Sequence, residues 1–136
     1  MWIMRKSDER VLEDLLEKHI LDGLQMFDRN LSMYEDERFY GRQLIIPGIG
    51  RIDLLTIDND TNDLVVIEVK QGKSDDLVVG QILRYMGWLK EKLVKDDQKI
   101  YGIICVNETT KKLKSAVSVV PTIEIYEYGI SLTKID

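Results

Sequence analysis

Asp53, Glu68 and Lys70 lie within one stretch, Gly50 to Lys70, which reads GRIDLLTIDNDTNDLVVIEVK. Two apolar runs in it are joined by Asn59, Asp60, Thr61 and Asn62, residue types that favour turns. A hairpin symmetric about the Asp60–Thr61 bond sets Asp53 directly opposite Glu68. The same register sets Leu55 against Val66 and Ile57 against Leu64, apolar against apolar. A slip of one residue would put Asp53 against Ile67 or Val69, an unfavourable pairing. Carboxylates so opposed stand about 5 Å apart and repel each other. A hard divalent cation with oxygen ligands is the natural means of offsetting that repulsion. Lys70 lies two residues beyond Glu68, so alternation along the strand aims its ammonium at the same face.

D-(x14)-E-x-K on a hairpin resembles the PD-(D/E)xK nuclease superfamily. GRQLIIPGIGRIDLL, then LVVIEVKQG, then VGQILRYMGWL, in this order, resemble the catalytic domain of NucS/EndoMS-type endonucleases. The resemblance runs from about Glu13 to Ala116. It implies a restriction-endonuclease-like αβββαβ core and hydrolysis of DNA phosphodiester bonds in repair or processing. It also implies that a glutamate on the first helix, here Glu13, reaches a metal site. Mg²⁺ or Mn²⁺ held by Asp53, Glu68 and the Val69 carbonyl would lower the pKa of bound water and polarise a phosphate oxygen. Lys70 would orient or activate the attacking water, or stabilise negative charge in the transition state. NucS-type enzymes also carry a separate N-terminal domain. The present sequence is read as one domain, 1–136, without it, so no preference for single-stranded, branched or mismatched DNA is carried over.

Other chemistries fit less well. No Gly-rich phosphate loop is present, and His19, the one histidine, leaves no two-histidine zinc site and no serine or cysteine dyad elsewhere. Two carboxylates could serve glycoside hydrolysis by separation alone, but the adjacent lysine favours the nuclease reading. The alternative from another class is a non-catalytic nucleic-acid-binding or assembly module that keeps the fold. Such a module needs none of the three residues, so their presence favours the enzyme.

The elements that must position this trio follow in chain order. Ser7 is the expected N-cap of a first helix ending near Gly23. Val11, Leu12, Leu15, Leu16 and Ile20 form its apolar stripe, with Glu13 at the border. Residues 25–40 read as irregular. Arg42 to Ile46 is a short strand ended by Pro47-Gly48. In the hairpin, Ile52 and Leu54 are assigned to one face, Leu55 and Ile57 to the other. A sheet apolar on both faces is covered on both, as in α/β architecture. We expect a central mixed sheet with the hairpin at its middle.

A second helix is predicted from Ser74, with Asp75 and Asp76 in its first turn, to about Leu93. Gln81 and Tyr85 share one of its faces. Gln81 joins the candidate catalytic residues, and Tyr85 is either a packing residue or a nucleic-acid contact. Arg42, Arg51 and Lys73 complete the candidate nucleic-acid contacts, Arg51 binding phosphate or pairing with an acid. Close backbone packing is the expected reason for Gly80 and Gly87, and Trp88 reads as packing. Lys99 to Val106 is a buried strand in which Cys105 is inert packing. A helix from Thr109 to Val120 and strands at Ile123, Ile125 and 130–133 close the chain.

The 136 residues suffice for one domain that buries roughly 70% of its extended surface. No apolar run is long enough for a transmembrane helix, the start lacks a signal-peptide apolar region, and one cysteine excludes an internal disulfide. A cytoplasmic protein with no membrane partner is expected. The net charge of −5 is unevenly spread: residues 1–69 carry 8 basic and 15 acidic side chains, residues 70–114 carry 10 and 6. The basic segment opens at Lys70, where a phosphate backbone would be steered. Cutting both strands of a duplex benefits from two active sites, so a homodimer is expected.

Overall fold

The computed structural model describes the backbone of residues 6–129 and 131–136, and the side chains from residue 9 onward except Lys73 and Ile130. The proposed Ser7 cap and Lys73 contact fall outside the described side chains, and Ile130 outside the described residues.

The first helix, α1 (Lys6–Leu21), is followed by strands β1 (Leu31–Met33), β2 (Arg42–Ile46), β3 (Gly50–Asp58) and β4 (Leu64–Ser74). Helix α2 (Leu77–Lys92), strand β5 (Ile100–Thr109), helix α3 (Lys111–Val117) and strand β6 (Ile123–Glu127) complete the order. The sheet runs β1-β3-β4-β5-β6, and β2 pairs with β3 beside β1. Pairs up to β4 are antiparallel; β4–β5 and β5–β6 are parallel. The predicted mixed sheet and αβββαβ order are therefore present, with one strand added.

The hairpin register is the predicted one: Leu55 pairs with Val66 and Ile57 with Leu64. Its turn closes with Asn62 at φ 65° and the Asn62 N–H on the Asp58 carbonyl at 2.7 Å. Both faces are covered. Leu55, Leu64 and Val66 pack with Ile82, Tyr85 and Leu89 of α2. Leu54, Val65 and Ile67 pack with Leu16 and Ile20 of α1. Burying each such side chain stabilises by about 1.5–3 kcal/mol. Among the described residues no helix is long and apolar enough to cross a membrane.

Several boundaries differ from expectation. Leu31–Met33 is a strand because Leu31 and Met33 alternate into the α1-side core, a pattern too short to see in sequence. The α1 stripe is rotated: Val11 and Leu15 are about half exposed, while Glu13 is 4% exposed in line with Leu16 and Ile20. The helix ends where Gly23 (φ 76°) donates to Ile20 and Leu24 donates to His19, a Schellman closure. Ser74 does not begin a helix. It is the last strand residue, paired with Thr109, and α2 starts at Leu77, whose N–H is held by Asp75. Thr110 caps α3 through Leu113, and the helix stops at Val117. Residues 131–133 are not a strand. Trp88 packs edge-on to Phe39.

Gly80 and Gly87 have open space where a Cβ would stand, so packing does not account for them. Gly87→Ala should therefore stabilise the fold by up to about 1 kcal/mol, since alanine removes backbone freedom from the unfolded chain. Urea unfolding of the variant checks this; a lower midpoint at unchanged slope would refute it.

Candidate active site

The backbone pairing of β3 with β4 reaches as far as Leu54 and Ile67. One step beyond stand Asp53 and Glu68, and there side chains bridge the strands. The Asp53 N–H donates to Glu68 Oε1 at 3.2 Å, and the Val69 N–H donates to Asp53 Oδ2 at 2.9 Å. Each carboxylate thus accepts a backbone N–H hydrogen bond from the opposite strand.

The strands also change face here. Arg42 pairs with Leu54 and Leu44 with Ile52, with Gln43 between them at φ 52°. Leu54 belongs to the α1-side core, but Leu44 and Ile52 belong to the α2-side core. Simple alternation, which put Ile52 and Leu54 on one face, fails at this point. The left-handed residue Gln43 accompanies the rotation. The consequence is that Asp53 opens into a cavity of about 980 Å³ bordered by residues of α1, β3, β4 and α2.

That cavity gathers most of the residues singled out in sequence. Asp53, Glu68, Val69 and Lys70 line it together with Glu13, Gln81, Arg51 and Tyr85. Tyr85 is buried, yet its hydroxyl accepts the Arg51 N–H at 3.2 Å and the Gln81 amide at 3.0 Å. It is thus both a packing residue and part of the cavity wall. Gly50 permits this approach: at φ 147°, a Cβ there would lie 2.8 Å from the Tyr85 hydroxyl. The Lys70 carbonyl accepts the Tyr128 hydroxyl at 3.0 Å.

Arg42 is placed differently. It does not line the cavity but sits behind Glu13, with its side chain 14% exposed. Its guanidinium donates to Glu13 at 3.3 Å, Glu17 at 3.0 Å and Asp14 at 2.8 Å. It is engaged with three carboxylates of α1 and is not presented to a nucleic acid. Gln43 also donates to Glu13. Arg42→Ala should cost about 3 kcal/mol, because it leaves a buried carboxylate without its counter-charge. Urea titration checks this; a loss below about 1 kcal/mol would show the ion pairs to be surface-like.

Sequence reading missed Arg10 and Arg84, which also line the cavity. Their signal was helical spacing: Arg10 is three residues before Glu13, and Arg84 three after Gln81. That spacing becomes informative only once the buried face is known.

The acidic groups carry strain of an electrostatic kind. Burial, then the charge of Asp53, raises the Glu68 carboxyl well above its ordinary value. Burial raises Asp53 too, against the opposing pull of the Val69 N–H and Lys70. Glu13 is raised by burial and by Asp53. Cys105 is raised by burial to about 12 and is chemically quiet. Among the described residues no group of three or more His, Cys, Asp or Glu is arranged to hold a metal by itself. The buried Glu68 and half-buried Asp53 carboxylates beside a strand backbone form an all-oxygen donor set, which suits a hard cation completed by water. Asp53, Glu68 and the Val69 carbonyl could supply it.

Fold and site together define a mixed-sheet α/β domain with an acidic pair where its central hairpin departs from the ladder. Solved structures share this fold. The chain is similar to a repair endonuclease from Pyrococcus abyssi, with TM-score 0.63 and 20% identity over 94% of this chain and 49% of that one. It is similar to EndoMS in an EndoMS–dsDNA complex, with TM-score 0.65 and 17% identity over 94% and 47%. EndoMS in apo form gives TM-score 0.65 and 16% identity over 95% and 49%. At these identities the likeness is one of fold, and the chain spans about half the length of these structures. In sequence, the family described as the endonuclease NucS C-terminal domain matches residues 15–120, and the chain belongs to that family. No curated protein matched in sequence.

Proposed function

We propose that this domain is a divalent-cation-dependent endonuclease of the PD-(D/E)xK kind, hydrolysing DNA phosphodiester bonds in repair or processing. The observation that carries the reading is the half-buried Asp53 against the buried Glu68, beside Lys70 and opening into one large cavity. Membership of the NucS C-terminal domain family supports it. So does the fold shared with a repair endonuclease and with EndoMS in its dsDNA complex.

Asp53, Glu68 and the Val69 carbonyl would hold Mg²⁺ or Mn²⁺. When bound, the cation supplies Lewis-acid polarisation of a phosphate oxygen and a more acidic water. Lys70 would orient the attacking water or meet the negative charge that develops in the transition state. Glu13, buried and fixed by Arg42 and Gln43, adds a third carboxylate beside Asp53 and Glu68 in the cavity. Gln81 steadies the Tyr85 hydroxyl at the wall and faces the substrate side.

The test is cleavage of single-stranded, duplex, mismatched and flapped DNA with and without Mg²⁺ or Mn²⁺. Metal-dependent cutting of any of them is expected. Binding without cutting under every condition would leave a non-catalytic module in its place. The domain is further proposed to act as a homodimer, giving one site per strand. Light scattering at micromolar concentration should return twice the chain mass, and a monomer mass would refute it.

A further inference from the structure

The arginines among the described residues divide by location. Arg29, Arg38 and Arg42 lie outside the large cavity, and each is engaged in ion pairs. Arg10, Arg51 and Arg84 all line the cavity, all are exposed, and none makes an ion pair among the described residues. They come from three different elements, α1, β3 and α2. An arginine fork left without a carboxylate partner is suited to bidentate contact with phosphate.

The unpaired state is not for want of acids. The cavity lining holds five carboxylates, Glu9, Glu13, Asp14, Asp53 and Glu68, against four basic groups. Glu13 and Asp14 are taken by Arg42 from behind, and Asp53 and Glu68 are tied into the strand backbones. The cavity is also not closed at Arg84. A second hollow of about 390 Å³, running to Ser74 and Val78, shares Lys70, Gln81 and Arg84 with the first.

We propose that Arg10, Arg51 and Arg84 form a phosphate clamp that holds a polynucleotide strand across the acidic pair, the strand leaving past Lys70 and Arg84 along the second hollow. This rests on the nuclease reading and narrows it. The substrate is a strand with several consecutive phosphates, not an isolated phosphodiester.

Counterion release gives the test. Each phosphate neutralised contributes about −0.9 to the slope of log K against log salt for duplex, and about −0.7 for single strands. Binding of a fluorescent oligonucleotide is measured by anisotropy from about 50 to about 200 mM salt, with Ca²⁺ replacing Mg²⁺. Arg10→Gln, Arg51→Gln and Arg84→Gln should each flatten the slope by one such increment, and Arg84→Lys should restore it. Lys90→Gln, on α2 but outside both cavities, should leave the slope unchanged. Cleavage with Mn²⁺ is read on the same proteins. If wild type binds and cuts while the three glutamine variants keep its slope, the clamp is overturned and the nuclease reading stands. If wild type neither binds nor cuts any oligonucleotide, both are overturned.

Discussion

Lys70→Ala is expected to lose cleavage by about 10²–10⁴-fold while keeping its full response to metal. Lys70 lines the cavity beside Glu68, but the cation donors proposed here are Asp53, Glu68 and the Val69 carbonyl. Removing the ammonium therefore leaves the donor set whole. It also removes a positive neighbour that helps to keep both Asp53 and Glu68 ionised. Thermal melts of the variant should still shift upward with Mn²⁺, because only the folded hairpin presents both carboxylates and binding stabilises by mass action. A variant that cuts at the wild-type rate would show Lys70 to be uninvolved in the chemistry. A variant that loses its metal-linked shift would show it to be part of the binding site instead.

Asp53→Asn should behave in the opposite way, losing both cleavage and most of the metal-linked shift. Without metal, its stability should equal or slightly exceed that of wild type, since one of two opposed charges is gone. The dependence on pH sharpens this. Asp53 and Glu68 are both raised from ordinary values of 3.8 and 4.5. A carboxyl raised in the folded state binds its proton more tightly there than in the unfolded chain. Its contribution is fully present below the unfolded value and is lost as pH rises through the folded one.

Metal-free wild type should therefore lose stability as pH rises above the ordinary carboxylate range and through the raised values of the pair. Asp53→Asn should lose less, because the charge that raises Glu68 after burial has been removed. Mn²⁺ competes with the protons for the same oxygens, so its stabilisation of wild type should grow with pH across that range. Melting curves at several pH values, with chelator and with Mn²⁺, measure all of this. A metal-free wild type whose stability is flat or rises over that range would contradict the raised carboxyls of Asp53 and Glu68. An Asn variant with an undiminished Mn²⁺ shift would remove Asp53 from the donor set.

The hairpin and its register were legible in the sequence. Turn residues and apolar pairing admitted one alignment of β3 on β4, because a slip of one residue turns every side chain to the wrong face. That alignment placed Asp53 opposite Glu68 with Lys70 nearby. Apolar residues on both faces required helices on both sides, and α1 and α2 supply them. These features depend on neighbours along one strand or across one pair, and such neighbours are fixed by spacing.

What spacing did not determine depends on contacts made from other parts of the chain. The rotation at Gln43 and Asp53 breaks the alternation that sequence reading assumes, and it turns Asp53 into the cavity. The burial of Glu13 reverses what an acidic residue at a helix border suggests. It is tolerated because Arg42, 29 residues away, brings the counter-charge. The same ion pairs take Arg42 out of the nucleic-acid contacts and leave Arg10, Arg51 and Arg84 as the unpaired forks. A side chain's partner across the fold is decided by tertiary packing, because desolvation and pairing act through space and not along the chain.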